Sequence, residues 1–522
     1  MLKSYINGTW VAGEGEGAPL MNPTTGVEFA RASTQGLDFS SALQYAREKG
    51  GPALRAMTFA ERGAMLQKMA ESLHARREEL LALGTQSCGN TRGDAKFDVD
   101  GGISTLSAYA RMGDELGDGK FFVDGDPIRL SRSPRFVGRH VQLPLTGAAI
   151  HINAYNFPVW GFAEKAAVSL LAGVPVVTKP ATSTAALTVR AVECLVEDGI
   201  LPDGAISLIA GSPGDLLNHC TGQDVVAFTG SASTAARIRA TPAVLGKSVR
   251  VNVEADSLNA AVLGPDIKPE SPVWDLFLAE VARDMTQKAG QKCTAIRRIF
   301  VPEEHLETIK VALADEIDRN AVGNPEVRGV RVGPLASAPQ LEDVQKGITE
   351  LLTCCELVHG VQGPGELREI TEGQGYFHAP VLLCAPNPHT ATAVHEREVF
   401  GPVSTLMPYS GEAQDAIDLV RKGEGGLVTS VYSNDRDFAE AMMFGIGPFH
   451  GRLNFASAKV AEHSMGPGTV LPSLAHGGPG RAGGGEELGG LRGLSLYLQR
   501  TAIQGDDPML TQMIASGTPQ NS

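Results

Sequence analysis

GAAIHINAYNFPVWGFAEKAAVSLLAGVPVVTK, residues 147–179, holds a strand, a helix and a second strand in direct succession. GAAIHI (147–152) is apolar and of strand length. FPVWGFAEKAAVSLLAG (157–173) reads as a helix, with Pro158 early, where a missing N–H leaves nothing unpaired, and Gly173 as its stop. VPVVTK (174–179) is short and β-branched. The alternation continues through a helix in STAALTVRAVECLVEDG, a strand in AISLIAG, a short helix in PGDLLNHC and a strand in VVAFTG. A helix in SASTAARIRA and a strand in KSVRVNV close the run. Short, nearly continuous apolar strands separated by helices predict a parallel sheet covered on both faces. A nucleotide site at the carboxyl ends of those strands is the matching expectation.

Outward from this stretch, a second α/β region begins near residue 257. It has a strand in LNAAVLG, a helix in SPVWDLFLAEVARDMTQKAG, a strand in RRIFV and a helix in EEHLETIKVALADEIDRNA. Beyond it the chain reads as loop-rich to about 390, and 460–490 reads as a glycine-rich loop. Toward the amino terminus, SYINGTW carries an Asn-Gly hairpin signal. TFAERGAMLQKMAESLHARREELLALGTQSCG (58–89) reads as a helical run in which Thr58 and Glu61 form a capping box. Residues 121–145 read as two polar strands around a turn, either a surface hairpin or an arm that pairs with another subunit. GLRGLSLYLQRTAI (490–503) reads as a last strand, and 506–522 as a loosely held tail.

A chain of 522 residues exceeds one hydrophobic core, so two or three domains are expected. The net charge of −14 disfavours a general nucleic-acid or anionic-membrane surface. No run of about 18 apolar residues suggests a membrane span. The cysteines at 88, 194, 220, 293, 354, 355 and 384 form no metal-spaced cluster. No metal site is expected, and the odd count fits a reducing, cytoplasmic compartment.

Chemistry-bearing residues gather at element ends. Cys293, in GQKCT (290–294), lies on a turn between a helix and a strand, where a thiol is held rigidly yet reachable. Taken alone, a free cysteine is more often a small buried hydrophobe than a nucleophile. Asn156 follows the first strand of the sheet, where its amide can serve a turn or donate to a developing oxyanion. Lys179 ends an apolar strand and reads as a surface residue or as a ligand of ribose or phosphate oxygens. FTGS (228–231) places Gly230 and Ser231 at a helix N-terminus suited to a pyrophosphate. Glu254 ends the strand RVNV and is a candidate general base for Cys293 chemistry, with Asp256 as its backup. His151, the one histidine near YNFP, reads as a packing residue, which disfavours a cysteine hydrolase.

In order, YNFP (155–158) with Lys165, KPA (179–181), FTGS (228–231), GQKCT (290–294), GYFHAPVL (375–382), EVFGPV (398–403) and LNF (453–455) resemble the aldehyde dehydrogenase family of NAD(P)-dependent enzymes over essentially the whole chain. The resemblance implies that fold: a Rossmann-like cofactor domain (1–120 and 146–255), an α/β catalytic domain (256–455) and a β-strand oligomerisation arm (121–145 and 493–503). It implies Cys293 as nucleophile of a thiohemiacetal and thioester, Asn156 with the Cys293 N–H as oxyanion hole, Glu254 as base for hydrolysis, and Lys165 in the surrounding hydrogen-bond network. Lys179 and Glu398 match ribose ligands, Ser231 a pyrophosphate ligand and Phe400 a wall of the nicotinamide site. It also implies assembly through the arm into a homodimer.

Two departures from the family pattern carry information. Where members commonly read Glu-Leu-Gly-Gly, this chain reads Glu254-Ala255-Asp256-Ser257, so the turn after the base differs. Where NAD-preferring members carry a glutamate after KPA, this chain has Thr182, which does not repel a 2′-phosphate. NADP is therefore expected ahead of NAD. NAYNFPVWG, EADSLNA and GGPGRAGGGEELGGLRG resemble the branch acting on coenzyme A-linked semialdehydes in aromatic-ring degradation. A small aldehyde, CoA-linked, is the expected substrate. Alternatives are a general medium-chain activity, a CoA-acylating one, which Glu254 argues against, and a silent binding protein.

Overall fold

In the computed structural model, which describes residues 1–520, the alternating run from 147 to 254 builds most of a seven-stranded sheet. Its order is Arg250–Glu254, Val225–Thr229, Ala149–Ile152, Val176–Lys179, Ile206–Leu208, Lys3–Ile6 and Thr9–Ala12. The first five strands run parallel, and the winding reverses between Ala149–Ile152 and Val225–Thr229. That reversal opens a crevice at the carboxyl ends, where doubly wound sheets take their ligands. Strands covered on both faces need no polar side, which is why they read as unbroken apolar runs. Lys3–Ile6 and Thr9–Ala12 form the amino-terminal hairpin, with Asn7 and Gly8 both at positive φ in its two-residue turn.

Helix Trp160–Ala172 is apolar nearly all round because it is enclosed between this sheet and helices Phe59–Ala75 and Arg92–Leu116. Helix Phe59–Ala75 starts from the capping box: Glu61 N–H donates to Thr58 Oγ1 at 3.1 Å, and Thr58 N–H to Glu61 Oε2 at 2.7 Å. The run expected to be continuous over 58–89 breaks at Arg76, and a second helix, Arg77–Cys88, follows. Ion pairs Arg76–Asp198 and Arg77–Asp100, each 2.6 Å, hold the corner.

A second seven-stranded sheet runs Glu356–His359, Val381–Cys384, Val403–Tyr409, Arg298–Pro302, Ala260–Leu263, Gly426–Tyr432 and His450–Ala456. It is parallel except for Glu356–His359 at its edge. Two of its strands lie in the section expected to be loop-rich, which also contains helix Ala338–Leu351. Four-residue strands between prolines and glycines carry too little periodicity to stand out.

The hairpin of Phe122–Arg129 and Phe136–Pro144 forms a separate four-stranded sheet with Leu498–Asp506 and Thr518–Gln520. The last long strand starts at Leu498 rather than 493, because Gly490–Tyr497 is a 3-10 stretch that buries Leu494 and Tyr497. The segment after 506 is not loose. Asp507–Met513 is a helix, Arg139 pairs with Asp507 at 2.7 Å, and Thr518 Oγ1 donates to the Leu116 carbonyl at 3.0 Å. The expected tail also takes in residues 521 and 522, which lie outside the described residues. Among the described residues no helix is long and apolar enough to cross a membrane.

Candidate active site

Cys293 follows an unusual backbone path. Helix Pro272–Thr286 ends, and Lys288, Ala289 and Gly290 in succession adopt left-handed φ of +56°, +52° and +69°. Such a run is strained for the two non-glycine residues and persists only where its surroundings hold it. Buried charges do so here. Lys288 N–H donates to Asp94 Oδ1 at 3.0 Å and Lys288 Nζ to Asn90 Oδ1 at 3.0 Å. Lys292 Nζ binds Asp284 at 2.6 Å, and Arg297 donates to the Gly290 carbonyl at 2.8 Å. At Gly290 a Cβ would overlap the Gly401 carbonyl oxygen, so only glycine fits. Asn259, in the SLN turn after the first sheet, donates to the Cys293 and Ala295 carbonyls at 2.7 and 2.9 Å. The loop that carries the thiol is thus tied down by buried contacts along its length.

Four of the residues expected at the site line one narrow cavity of about 40 Å³: Cys293, Glu254, Asn156 and Lys165. Glu254 arrives at the carboxyl end of its strand, opposite Thr229, and its carbonyl accepts from Gly230 N–H at 3.1 Å. Asn156 lies in the turn before helix Trp160–Ala172, whose first N–H groups donate to buried Asp98. One amide N–H of Asn156 donates to the Gln291 carbonyl at 3.0 Å, which pins the side chain beside the thiol. Lys165 reaches Glu487 at 3.0 Å and Glu164 at 3.1 Å. Asp256, the backup base, is directed elsewhere: its Oδ1 accepts from Ala232 N–H at the start of helix Ala232–Arg239.

Three contributors were not legible in the sequence. His476 Nε2 lies 3.2 Å from Glu254 Oε2 and 3.8 Å from Cys293 Sγ. His151, expected to be a packing residue, is buried and faces the Tyr497 hydroxyl at 3.2 Å, away from the thiol. Glu487 and Glu164 are the other two. Glu164, Glu254 and Glu487 each present a carboxylate oxygen within 4.8 Å of the others. His476 and Glu487 come from a small antiparallel pair, Ala475–Gly477 and Glu486–Leu488, inside the stretch expected to be loop. The only signal there was four polar residues, His476, Arg481, Glu486 and Glu487, embedded in a glycine-rich run.

The charges explain one another. Burial pushes Glu254 up, but paired His476 outweighs it and holds the carboxyl below its ordinary range. Burial disfavours a charged His476, yet Glu254 raises it. Burial and then the Glu254 carboxylate push the Cys293 thiol well up, so the resting sulfur is protonated. Burial would neutralise Lys165, but Glu487 and Glu164 keep it cationic. Burial raises Glu164 to about 7 against the opposing pull of Lys165. Glu254 Oε1 is buried without a hydrogen-bond partner among the described residues, free to accept a proton.

A second, larger cavity of about 740 Å³ flanks the other end of the sheet crevice. Lys179 and Thr182 line it with Ser33, Thr34, Ser212 and Gly214. Burial lowers Lys179 to about 8, and it forms no ion pair among the described residues. An unpaired, largely buried ammonium in a hydroxyl-rich groove fits an anionic ligand such as a nucleotide phosphate. Asp215, the one carboxylate of the lining, is engaged by His219 at 2.9 Å. Ser231 caps helix Ala232–Arg239 by accepting from Thr234 N–H, with Gly230 before it. Glu398 Oε1 is buried and unpartnered, and burial raises this carboxyl to about 7. Phe400 packs between Tyr155 and the Arg297 guanidinium.

Residues 10–503 match the pattern of the Aldehyde dehydrogenase family. The chain belongs to the aldehyde dehydrogenase family. This aldehyde dehydrogenase is 47% identical over 478 residues to the 3,4-dehydroadipyl-CoA semialdehyde dehydrogenase of Aromatoleum evansii, covering 92% of this chain and 93% of that one. It is 30% identical to the alpha-ketoglutaric semialdehyde dehydrogenase of Bacillus subtilis, covering 83% and 85%. Its fold matches the crystal structure of PnpE from Pseudomonas sp. WBC-3 with a TM-score of 0.84, at 23% identity and 97% coverage of both chains. PnpE has also been solved in complex with nicotinamide adenine dinucleotide. The enzyme is thus an oxidoreductase acting on aldehydes.

Proposed function

We propose that this enzyme oxidises a coenzyme A-linked aliphatic semialdehyde, of the 3,4-dehydroadipyl-CoA semialdehyde type, to its carboxylic acid with NADP as acceptor. The observation that carries the substrate is 47% identity, along 92% of the chain, to a dehydrogenase named for that semialdehyde. The cavity agrees: about 40 Å³ beside the thiol admits the slender end of a chain and leaves a bulky carrier outside.

In this reading the Cys293 thiolate adds to the aldehyde carbon, and the new oxyanion accepts from the Asn156 amide and the Cys293 N–H. The nicotinamide cofactor, when bound, supplies the acceptor for the hydride. The acyl group stays on Cys293 as a thioester. Glu254 then takes a proton from water, whose oxygen attacks the acyl carbon, and Cys293 leaves as thiolate. The Lys165, Glu164 and Glu487 cluster beside Glu254 gives that proton a path away from the thioester. A carboxylate poised for water supports hydrolysis over transfer to free CoA, which needs no such base. Lys179, Thr182, Gly230, Ser231, Glu398 and Phe400 would hold the cofactor. Thr182 leaves Lys179 unopposed by a neighbouring carboxylate, which favours the 2′-phosphate of NADP.

The test is initial NADPH formation with a medium-chain semialdehyde offered free and as its CoA thioester, with NAD in parallel. Preference for the thioester and for NADP is expected. Equal rates on the free aldehyde would remove the CoA-linked substrate, and a thioester product would establish acyl transfer to CoA instead.

A further inference from the structure

His476 stands between the two groups that must exchange charge during turnover. Its Nε2 is 3.2 Å from Glu254 Oε2 and 3.8 Å from Cys293 Sγ, and all three side chains line the same cavity. A ring nitrogen facing an ionised carboxylate at that distance carries its hydrogen toward it. Nε2–H therefore has two acceptors in reach and donates to one at a time.

We propose that His476 is a catalytic residue of the thiol-activation step: by turning its single Nε2–H from Glu254 to Cys293 it decides which of the two holds the negative charge. In the resting state Nε2–H donates to Glu254, the carboxylate is weakly basic and the thiol keeps its proton. On activation the S–H bond breaks, the proton passes to a Glu254 carboxylate oxygen, and Nε2–H turns to the thiolate left behind. Glu254 has then lost the donor that made it a poor base and gained the proton, so charge and proton balance. The reverse turn follows when the thiolate is consumed by forming its bond to the aldehyde carbon. Nε2–H again supports Glu254 once the latter has passed its proton on and awaits water.

The surroundings favour this exchange. Glu254 comes from the first sheet, Cys293 from the strained loop, Glu164 and Lys165 from helix Trp160–Ala172, and Glu487 from the strand beside His476. The carboxylates among them keep the imidazole a competent donor, and the raised thiol needs a partner for its anion, since no lysine or arginine reaches Cys293 within salt-bridge or hydrogen-bond distance among the described residues.

The proposal rests on Cys293 being the nucleophile, and the experiment separates the two. Alkylation of Cys293 by iodoacetamide is followed across pH 6–10 by mass spectrometry of its peptide, in wild type, His476→Phe and His476→Gln. Turnover is measured in the same variants and in Cys293→Ala. His476→Phe is expected to slow alkylation at neutral pH about tenfold or more and to move its midpoint upward, the loss of one hydrogen bond to an ion. His476→Gln, which keeps an N–H donor, should restore part of the rate, and tryptophan quenching by NADPH should show cofactor binding intact in both. An unchanged alkylation profile in His476→Phe, with only the KM for aldehyde altered, would overturn the proposal and leave His476 as a wall of the substrate cavity. Turnover surviving in Cys293→Ala would instead overturn the reading of the nucleophile.

Discussion

Glu254 is asked to do two opposite things, to stay ionised while buried and to take a proton when water enters. His476 secures the first, and the unpartnered Oε1 leaves room for the second. Glu254→Gln should therefore slow the first burst of NADPH and reduce turnover about 10²–10⁴-fold, since both thiol activation and hydrolysis lose their proton acceptor. Rapid-quench kinetics check this, and an undiminished burst would remove Glu254 from thiol activation and leave it to hydrolysis alone. Lys179 gives a pH signature. Burial lowers it to about 8 in the free enzyme, and only the charged form attracts a phosphate. The kcat/KM for NADP, which reports the free enzyme, should fall as pH rises through about 8, with a weaker fall for NAD. Parallel profiles for the two cofactors would remove Lys179 as the phosphate ligand. Thr182→Glu would set a carboxylate beside that phosphate and should lower kcat/KM for NADP about tenfold or more while sparing NAD. Cys293, Asn156 and Glu254 were legible because each ends or opens an element where chemistry is commonly placed, whereas Lys165, inside helix Trp160–Ala172, was named only through the family resemblance. His476 and Glu487 were not, because their relation to Glu254 spans more than two hundred positions of chain and exists only once two sheets have packed.

The element that matters most is the loop from Lys288 to Cys293. Its two non-glycine left-handed residues, Lys288 and Ala289, store strain, and the buried contacts of Lys288, Lys292 and Arg297 hold it. Gly290→Ala should cost about 1–2 kcal/mol from φ alone, with the overlap at Gly401 added. The expected outcome is a lowered melting temperature and lost turnover with cofactor affinity retained, checked by calorimetry and NADPH titration. The helix before this loop and the strand after it were plain in the sequence. The left-handed path was not, since Lys-Ala-Gly carries a turn signal only at its glycine. For the same reason the short strands bearing His476 and Glu487 were hidden, because glycine-rich sequence speaks for flexibility until neighbouring backbone pairs with it.

For the whole molecule, the arm is the element that bears on assembly. The sheet of Phe122–Arg129, Phe136–Pro144, Leu498–Asp506 and Thr518–Gln520 stands apart from both large sheets. Among the described residues Leu498–Asp506 pairs with one neighbour only, and Ile128, Leu130 and Phe136 are exposed on the hairpin. A long unpaired edge beside exposed apolar side chains invites a second chain. Sedimentation at micromolar concentration should therefore show a dimer or larger assembly, and a stable monomer would leave the arm without its proposed role. The alternation of apolar strands and helices by itself determined the parallel sheet, the crevice at its carboxyl ends and the residues that open onto it, because each follows from periodicity within one short segment. Only the tertiary structure decided which distant groups meet the thiol, where Asp256 turns and how residues 507–520 are tied down. Those contacts are made by segments remote in sequence, and the burial and charge that give them meaning exist only after both sheets close on the site.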